Sequence, residues 1–182
     1  PGHPQALEEL VRVYLAQGKK EELSQLLRRQ IELVGKQDSE TAAAVERALY
    51  AKWIDLVENE LHQPDQAASL YKAMLQRDPQ SMTALSALLQ HQKRAGDTAK
   101  VLATLGQIAE HAPTSLLRGD ALLRLAELRE EGSAKPQDVD ELYEQALQAL
   151  PMPSAQATHA ALGRLRAVMQ QRKYDKLPEV LE

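Results

Sequence analysis

Histidine and glutamate are the residues of this chain whose chemistry could support catalysis or metal binding. No two of the five histidines stand four residues apart, which is the spacing that places two metal ligands on one helical face. Acidic neighbours such as Glu8 and Glu9, or Glu130 and Glu131, point to different sides of a helix. The chain also has no cysteine and no glycine-rich phosphate loop. We therefore predict no enzymatic activity, no metal site and no cofactor.

Charge and hydropathy argue against binding to nucleic acids and against insertion into membranes. The 182 residues include 22 Lys and Arg against 26 Asp and Glu, a formal net charge of -4. A chain of this balance lacks the broad basic surface that binds phosphate backbones. No apolar run approaches the roughly 18 to 20 residues needed to cross a bilayer. We expect no nucleic-acid partner and no direct membrane insertion.

Apolar residues and a closing proline recur at a regular spacing, and this is the strongest structural signal in the chain. Three similar sets of four follow one another along the sequence. The sets are Ala67, Tyr71, Met74 and Pro79; Val101, Leu105, Ile108 and Pro113; and Val139, Tyr143, Ala146 and Pro151. The interval from the first set to the second is about 34 residues, a period typical of stacked helical hairpins. The interval to the third set is longer, which indicates about four residues inserted in the preceding loop.

Residues that start and stop helices divide the chain into about ten helices and no strand. We predict that Gly18, Gly35 and Gly96 each end a helix, Gly35 in the left-handed conformation. Pro64 suits the first turn of a helix, because its missing N–H has no intrahelical partner there. The predicted helices cover residues 6–15, 21–34, 40–61, 64–77, 82–95, 98–110, 115–130, 136–150, 154–171 and 174–182.

These residues resemble the tetratricopeptide repeat, whose second helix carries a small residue, a large aromatic residue and a closing proline. Ala67 takes the small position, Tyr71 the aromatic position and residues 78–79 the closing pair, whereas Val101 and Val139 replace the usual alanine. The resemblance covers nearly the whole chain. It implies an all-α, right-handed superhelical solenoid of about five antiparallel helical hairpins, forming a single domain over residues 1–182.

The resemblance also implies a binding surface, because in this family the first helix of each hairpin lines a concave groove. Its ligand-facing positions map here onto side chains that make the groove more basic than the acidic whole. We predict a partner-binding groove that contains Arg12, Lys52, Leu56, Gln90, Lys93, Arg94, Arg124 and Arg166. Arginine can hold a carboxylate with two parallel hydrogen bonds, so an acidic peptide is the expected ligand. The alternative is that these cations only decorate a solvated helical surface.

Three functions remain open at this stage. The first is a non-catalytic protein–protein interaction scaffold that holds a partner segment in its groove. The second is a regulatory or targeting segment of a larger enzyme or of a secretion or assembly apparatus. The third is a self-assembly module whose terminal hairpins stack on another copy.

Aromatic residues are few, and we predict that three of them support the hairpins. Trp53 lies within an apolar run and is expected to anchor a hairpin core. Tyr71 and Tyr143 occupy the same repeat position and are expected to act as equivalent wedges between helices.

The C-terminal residues carry an apolar stripe on a short predicted helix. Leu177, Val180 and Leu181 form this stripe, and a helix of about two turns is marginal without a packing partner. The chain also begins without Met. We therefore expect a fragment of a longer chain, or a stripe that another molecule covers.

Overall fold

The computed structural model of the protein describes residues 4–37 and 39–171, and this part of the chain contains helices and no strand. The all-α prediction is therefore confirmed. The helices are α1 (Pro4–Ala16), α2 (Lys20–Val34), α3 (Glu40–Asp55), a π-helical turn (Leu56–Glu60), α4 (Pro64–Arg77), α5 (Met82–Arg94), α6 (Thr98–His111), α7 (Ser115–Glu131), α8 (Pro136–Ala149) and α9 (Ala155–Gln170). The helix predicted at 174–182, with its apolar stripe, lies outside the described residues.

Short polar side chains and prolines set where the helices begin. A side-chain oxygen at the residue before the helix accepts a hydrogen bond from an N–H of the first turn, which would otherwise lack a partner. Proline at the first helical position removes one such N–H altogether. The capping oxygens belong to Ser39, Asp97, Thr114 and Ser154, and the prolines are Pro64 and Pro136.

Helix ends follow the glycine prediction at two positions and depart from it at one. Gly18 and Gly96 adopt the left-handed conformation, with φ of 68° and 70°. The left-handed conformation predicted for Gly35 is wrong, because its φ is -66°. The Arg77 guanidinium of α4 donates a 2.8 Å hydrogen bond to the carbonyl of Gly35. This long side chain satisfies the helix end, so a left-handed residue is not needed there.

The chain divides into two compact units, residues 1–79 (unit one) and 80–182 (unit two). In unit one, α1 to α4 pack on their neighbours in chain order. The core of this unit includes Leu23, Leu27 and Val57, and Trp53 is buried among them as predicted. The indole N–H of Trp53 donates a 2.7 Å hydrogen bond to the hydroxyl of Ser24, so its polar atom has a partner in the core. The single domain predicted over residues 1–182 stays a prediction.

The π-helical turn at residues 56–60 extends α3 with a wider hydrogen-bond pattern. The N–H of Leu61 donates to the carbonyl of Leu56, five residues back, instead of the usual four. Such a turn accommodates one more residue than an α-helical turn of the same length along the axis. The side chains before it are therefore rotated relative to those after it, compared with a regular helix.

In unit two, α5 to α9 pack on their neighbours in chain order, and α7 also contacts α9. In this unit, the apolar positions that repeat along the sequence are also buried. Both second helices of the unit, α6 and α8, bury the three apolar positions of the repeat: Val101, Leu105 and Ile108, then Val139, Tyr143 and Ala146. In unit one, Ala67 is equally buried, whereas Tyr71 and Met74 are half-buried. Tyr71 and Tyr143 are thus equivalent in register but not in burial.

Candidate functional site

A polar contact recurs in three of the described hairpins at the repeat spacing. In each case a side chain near the end of the first helix accepts a hydrogen bond from a hydroxyl of the second. The accepting residues are separated by the same two intervals as the apolar positions. The pairs are Tyr71 to Glu58 at 3.5 Å, Thr104 to Gln92 at 2.8 Å and Tyr143 to Glu130 at 2.7 Å.

Glu130 differs from the other two acceptors because it also binds an arginine. The Nε and Nη2 atoms of Arg166 donate to its two carboxylate oxygens at 3.0 and 2.9 Å, a bidentate pair. These hydrogen bonds, and the one from the Tyr143 hydroxyl, hold the pKa of Glu130 below its ordinary value. Burial and the neighbouring Glu130 raise the pKa of Tyr143, so its hydroxyl remains a donor at neutral pH.

The position of Arg166 depends on how closely α9 approaches α8. A Cβ atom at Gly163 would lie 2.3 Å from the Tyr143 ring, so only glycine allows the helix to cross this ring. The next residue, Arg164, is buried, and its Nε atom donates a 3.1 Å hydrogen bond to the Asp140 carboxylate. Together these contacts fix the rotation of α9 about its own axis. They direct Arg166 toward α7.

The carboxyl-terminal half of α7 and the facing side of α9 border a cleft of about 500 Å³. Its lining consists of Glu127, Glu130, Glu131, His159 and Arg166. The Nδ1 atom of His159 lies 3.1 Å from the Glu127 carboxylate. Three carboxylates therefore face one guanidinium and one imidazole. The cleft is acidic, and its one guanidinium is already held by Glu130.

Arg166 is the one predicted groove residue that lines this cleft. The other predicted residues of unit two are exposed: Gln90, Lys93 and Arg94 on α5, and Arg124 on α7. The apolar positions directly before Gln90 and Arg124, at 88–89 and 122–123, are buried, as the predicted register requires.

The predicted groove cations of unit one are paired with acidic side chains. On α1, Arg12 is exposed and forms an ion pair with Glu9 at 3.2 Å. On α3, Lys52 is partly exposed and lies 3.6 Å from the Glu8 carboxylate of α1. Exposed pairs of this kind contribute little to stability.

The prediction that Leu56 lines the groove is wrong, because its side chain is 3% exposed and belongs to the core of unit one. The predicted groove positions assume a regular helical count of residues along this segment. The π-helical turn adds one residue to that count, so the exposed positions shift by one. The residues one position before the predicted Lys52 and Leu56, which are Ala51 and Asp55, are indeed exposed.

The sequence interpretation overlooked the residues that build the cleft. It treated Glu130 and Glu131 as solvated helix surface, and it did not assign a role to Glu127 or His159. The sequence did contain one signal for these residues. Glu58, Gln92 and Glu130 are separated by the same two intervals that separate the apolar repeat positions. The pairing with Arg166 had no comparable signal.

Membrane-spanning helices and metal-binding clusters are both absent from the part of the chain that the structure describes. None of the helices within 4–37 and 39–171 is both long enough and apolar enough to span a membrane. Over these same ranges, histidine, aspartate and glutamate side chains do not gather in groups of three that could hold a metal ion.

No protein-family model matches the sequence, and no curated protein matches it either. The solved structures that align with it include the crystal structure of BtubC (BKLC) from P. vanneervenii, at 12% sequence identity and a TM-score of 0.49. This alignment covers 97% of the present chain and 76% of the BtubC chain. A likeness at this level carries no functional argument.

Proposed function

We propose that this chain is a non-catalytic interaction module of the tetratricopeptide type, which binds a segment of a partner protein along the first helices of its hairpins. The repeat register supports this assignment, because the repeated positions are buried in both second helices of unit two. Stacked repeats of this kind present extended surfaces on which partners bind.

The observation that carries the proposal is the set of exposed positions on α5, α7 and α9. The three first helices of unit two expose side chains at the positions predicted to face a ligand. On α9, one turn before Arg166, Leu162 is also 51% exposed although it is a large apolar residue. Beside it lies the cleft between α7 and α9. An exposed apolar side chain next to a cleft is typical of a protein-binding surface.

The test begins with selection of peptides from a random displayed library against the chain, followed by calorimetric titration of those recovered. We expect saturable binding that Leu162→Glu weakens by about tenfold or more, because a charge would replace a desolvated contact. Leu33→Glu is the matched control, since Leu33 is 49% exposed and lies on a second helix, α2. It should leave the affinity unchanged.

The proposal is wrong if no peptide binds saturably. It is equally wrong if Leu33→Glu and Leu162→Glu weaken binding to the same extent. Circular dichroism of both variants establishes that any loss of affinity does not come from unfolding.

A further inference from the structure

One face of α9 combines exposed apolar side chains with an acidic border. Leu162 and Met169 are 51% and 52% exposed and stand seven residues apart, so they lie on the same side of the helix two turns from each other. Arg166 lies between them on this side. Across the cleft, α7 contributes the carboxylates of Glu127 and Glu131. We call the side chains of Leu162, Met169, Glu127 and Glu131 the acidic-apolar face.

The charges on this face would repel an anionic ligand. Arg166 already donates two hydrogen bonds to Glu130, and their charges cancel. The carboxylates of Glu127 and Glu131 remain, with His159 in contact with Glu127. An acidic peptide would therefore meet like charges at the cleft, which costs binding energy. A lysine or arginine side chain would meet the opposite charge.

The apolar part of the face indicates the shape of the ligand. Two apolar side chains two turns apart match the spacing of apolar residues along one side of a partner helix. A second copy of the chain is disfavoured as the occupant, because a symmetric contact would place two acidic clefts against each other.

We propose that the acidic-apolar face binds a basic amphipathic segment of a partner protein. Apolar side chains of the segment cover Leu162 and Met169, and a lysine or arginine enters the cleft beside Glu127 and Glu131. This inference rests on the proposed function and replaces the acidic ligand expected from the sequence with a basic one.

Two designed helical peptides serve as probes, one with lysine on its polar side and one with glutamate at the same positions. Both carry leucines spaced to contact Leu162 and Met169. We expect the lysine peptide to bind the chain at least about tenfold more tightly than the glutamate peptide in fluorescence anisotropy titrations. Tighter binding of the glutamate peptide, or no binding of either, overturns the inference.

Variants then locate the site. The double variant Glu127→Gln and Glu131→Gln should weaken lysine-peptide binding by about tenfold. The control is Glu110→Gln with Glu141→Gln, which removes the same number of charges from exposed positions on α6 and α8. This control should bind nearly as well as the unmodified chain. If both double variants lose the same affinity, the attraction is only overall charge and the inference is wrong.

Failure of this inference can be told apart from failure of the proposed function. Library peptides that bind, depend on Leu162 and are acidic would overturn the basic ligand and leave the interaction module standing. Library peptides that do not depend on Leu162 would overturn both. Single variants Glu131→Gln and Met169→Ser provide a second readout, because both positions are exposed and their replacement should not disturb folding.

Discussion

At the scale of single residues, a few close contacts determine where the charged groups of unit two lie. Gly163 permits α9 to cross the Tyr143 ring, and Tyr143 in turn donates to Glu130. Glu130 then holds Arg166. Packing and charge are linked through this chain of contacts, so a change at the glycine should disturb the acidic cleft as well as the core.

The first prediction concerns Gly163. Gly163→Ala places a methyl group within 2.3 Å of the Tyr143 ring, and the helices must separate. We expect the free energy of unfolding to fall by about 2 kcal/mol or more. Gly106→Ala is the matched control on α6, because a Cβ atom there meets nothing within 4 Å. It should raise stability by about 0.5 to 1 kcal/mol, as measured by chemical denaturation. Equal effects of the two substitutions would contradict the close packing.

The second prediction concerns the ionisation of Glu130. Its pKa is lowered from the ordinary 4.5, first by the hydrogen bonds from Arg166, so the ionised form stabilises the fold above this pH. Glu130→Gln should lower the free energy of unfolding by about 1 kcal/mol at neutral pH. The value is modest because the Arg166 side chain is half exposed. The stability difference between the two proteins should shrink as the pH falls through the lowered pKa. The carboxyl of the unmodified protein is then protonated and is as uncharged as the glutamine.

Denaturation of both proteins across the acid range measures this difference. A difference that stays constant down to the lowest pH would show that the charge of Glu130 plays no part. In an Arg166→Ala background the difference should largely disappear at every pH, because the two residues act as a pair.

At the scale of helices, the π-helical turn reconciles two registers that a regular helix could not satisfy together. Before the turn, Trp53 and Leu49 are buried in unit one. After it, the chain must reach Pro64 and place Ala67 in the same core. One additional residue in the turn allows both.

The third prediction follows from this role of the turn. Deletion of exposed Asn59 removes the additional residue, so the turn can close as a regular α-helix at a cost of about 1 kcal/mol or less. Deletion of exposed Ala48 within α3 rotates the preceding residues by about 100°. Buried Ala42 and Glu46 then leave their places, and we expect a loss of about 3 kcal/mol or more. Thermal melting distinguishes the two deletions, and similar losses would refute this account of the turn.

At the scale of the whole molecule, the sequence predicts what depends on local periodicity and not what depends on pairs of distant side chains. Helix ranges and repeat positions such as Val139 follow from spacing and turn residues, and the structure agrees with them. Leu56 was misplaced because nothing in the sequence marks a π-helical turn. The basic groove was predicted from the family resemblance and from the positions of cations such as Arg124 and Arg166 along the helices. The partner of Arg166 lies 36 residues away, and its role depends on side-chain geometry.

The fourth prediction uses the net charge of the chain, which is -4. Long-range attraction between this charge and a basic segment should speed their encounter, whereas contacts at Leu162 should determine how long the complex lasts. Raising the salt concentration should therefore slow association of the lysine peptide, because mobile ions screen charges beyond about 8 Å at physiological ionic strength. Leu162→Ser should instead speed dissociation, with little effect on association. Stopped-flow anisotropy separates the two rates. If salt changes only dissociation, or if Leu162→Ser changes only association, then the acidic charge does not guide the partner and the apolar contact does not retain it.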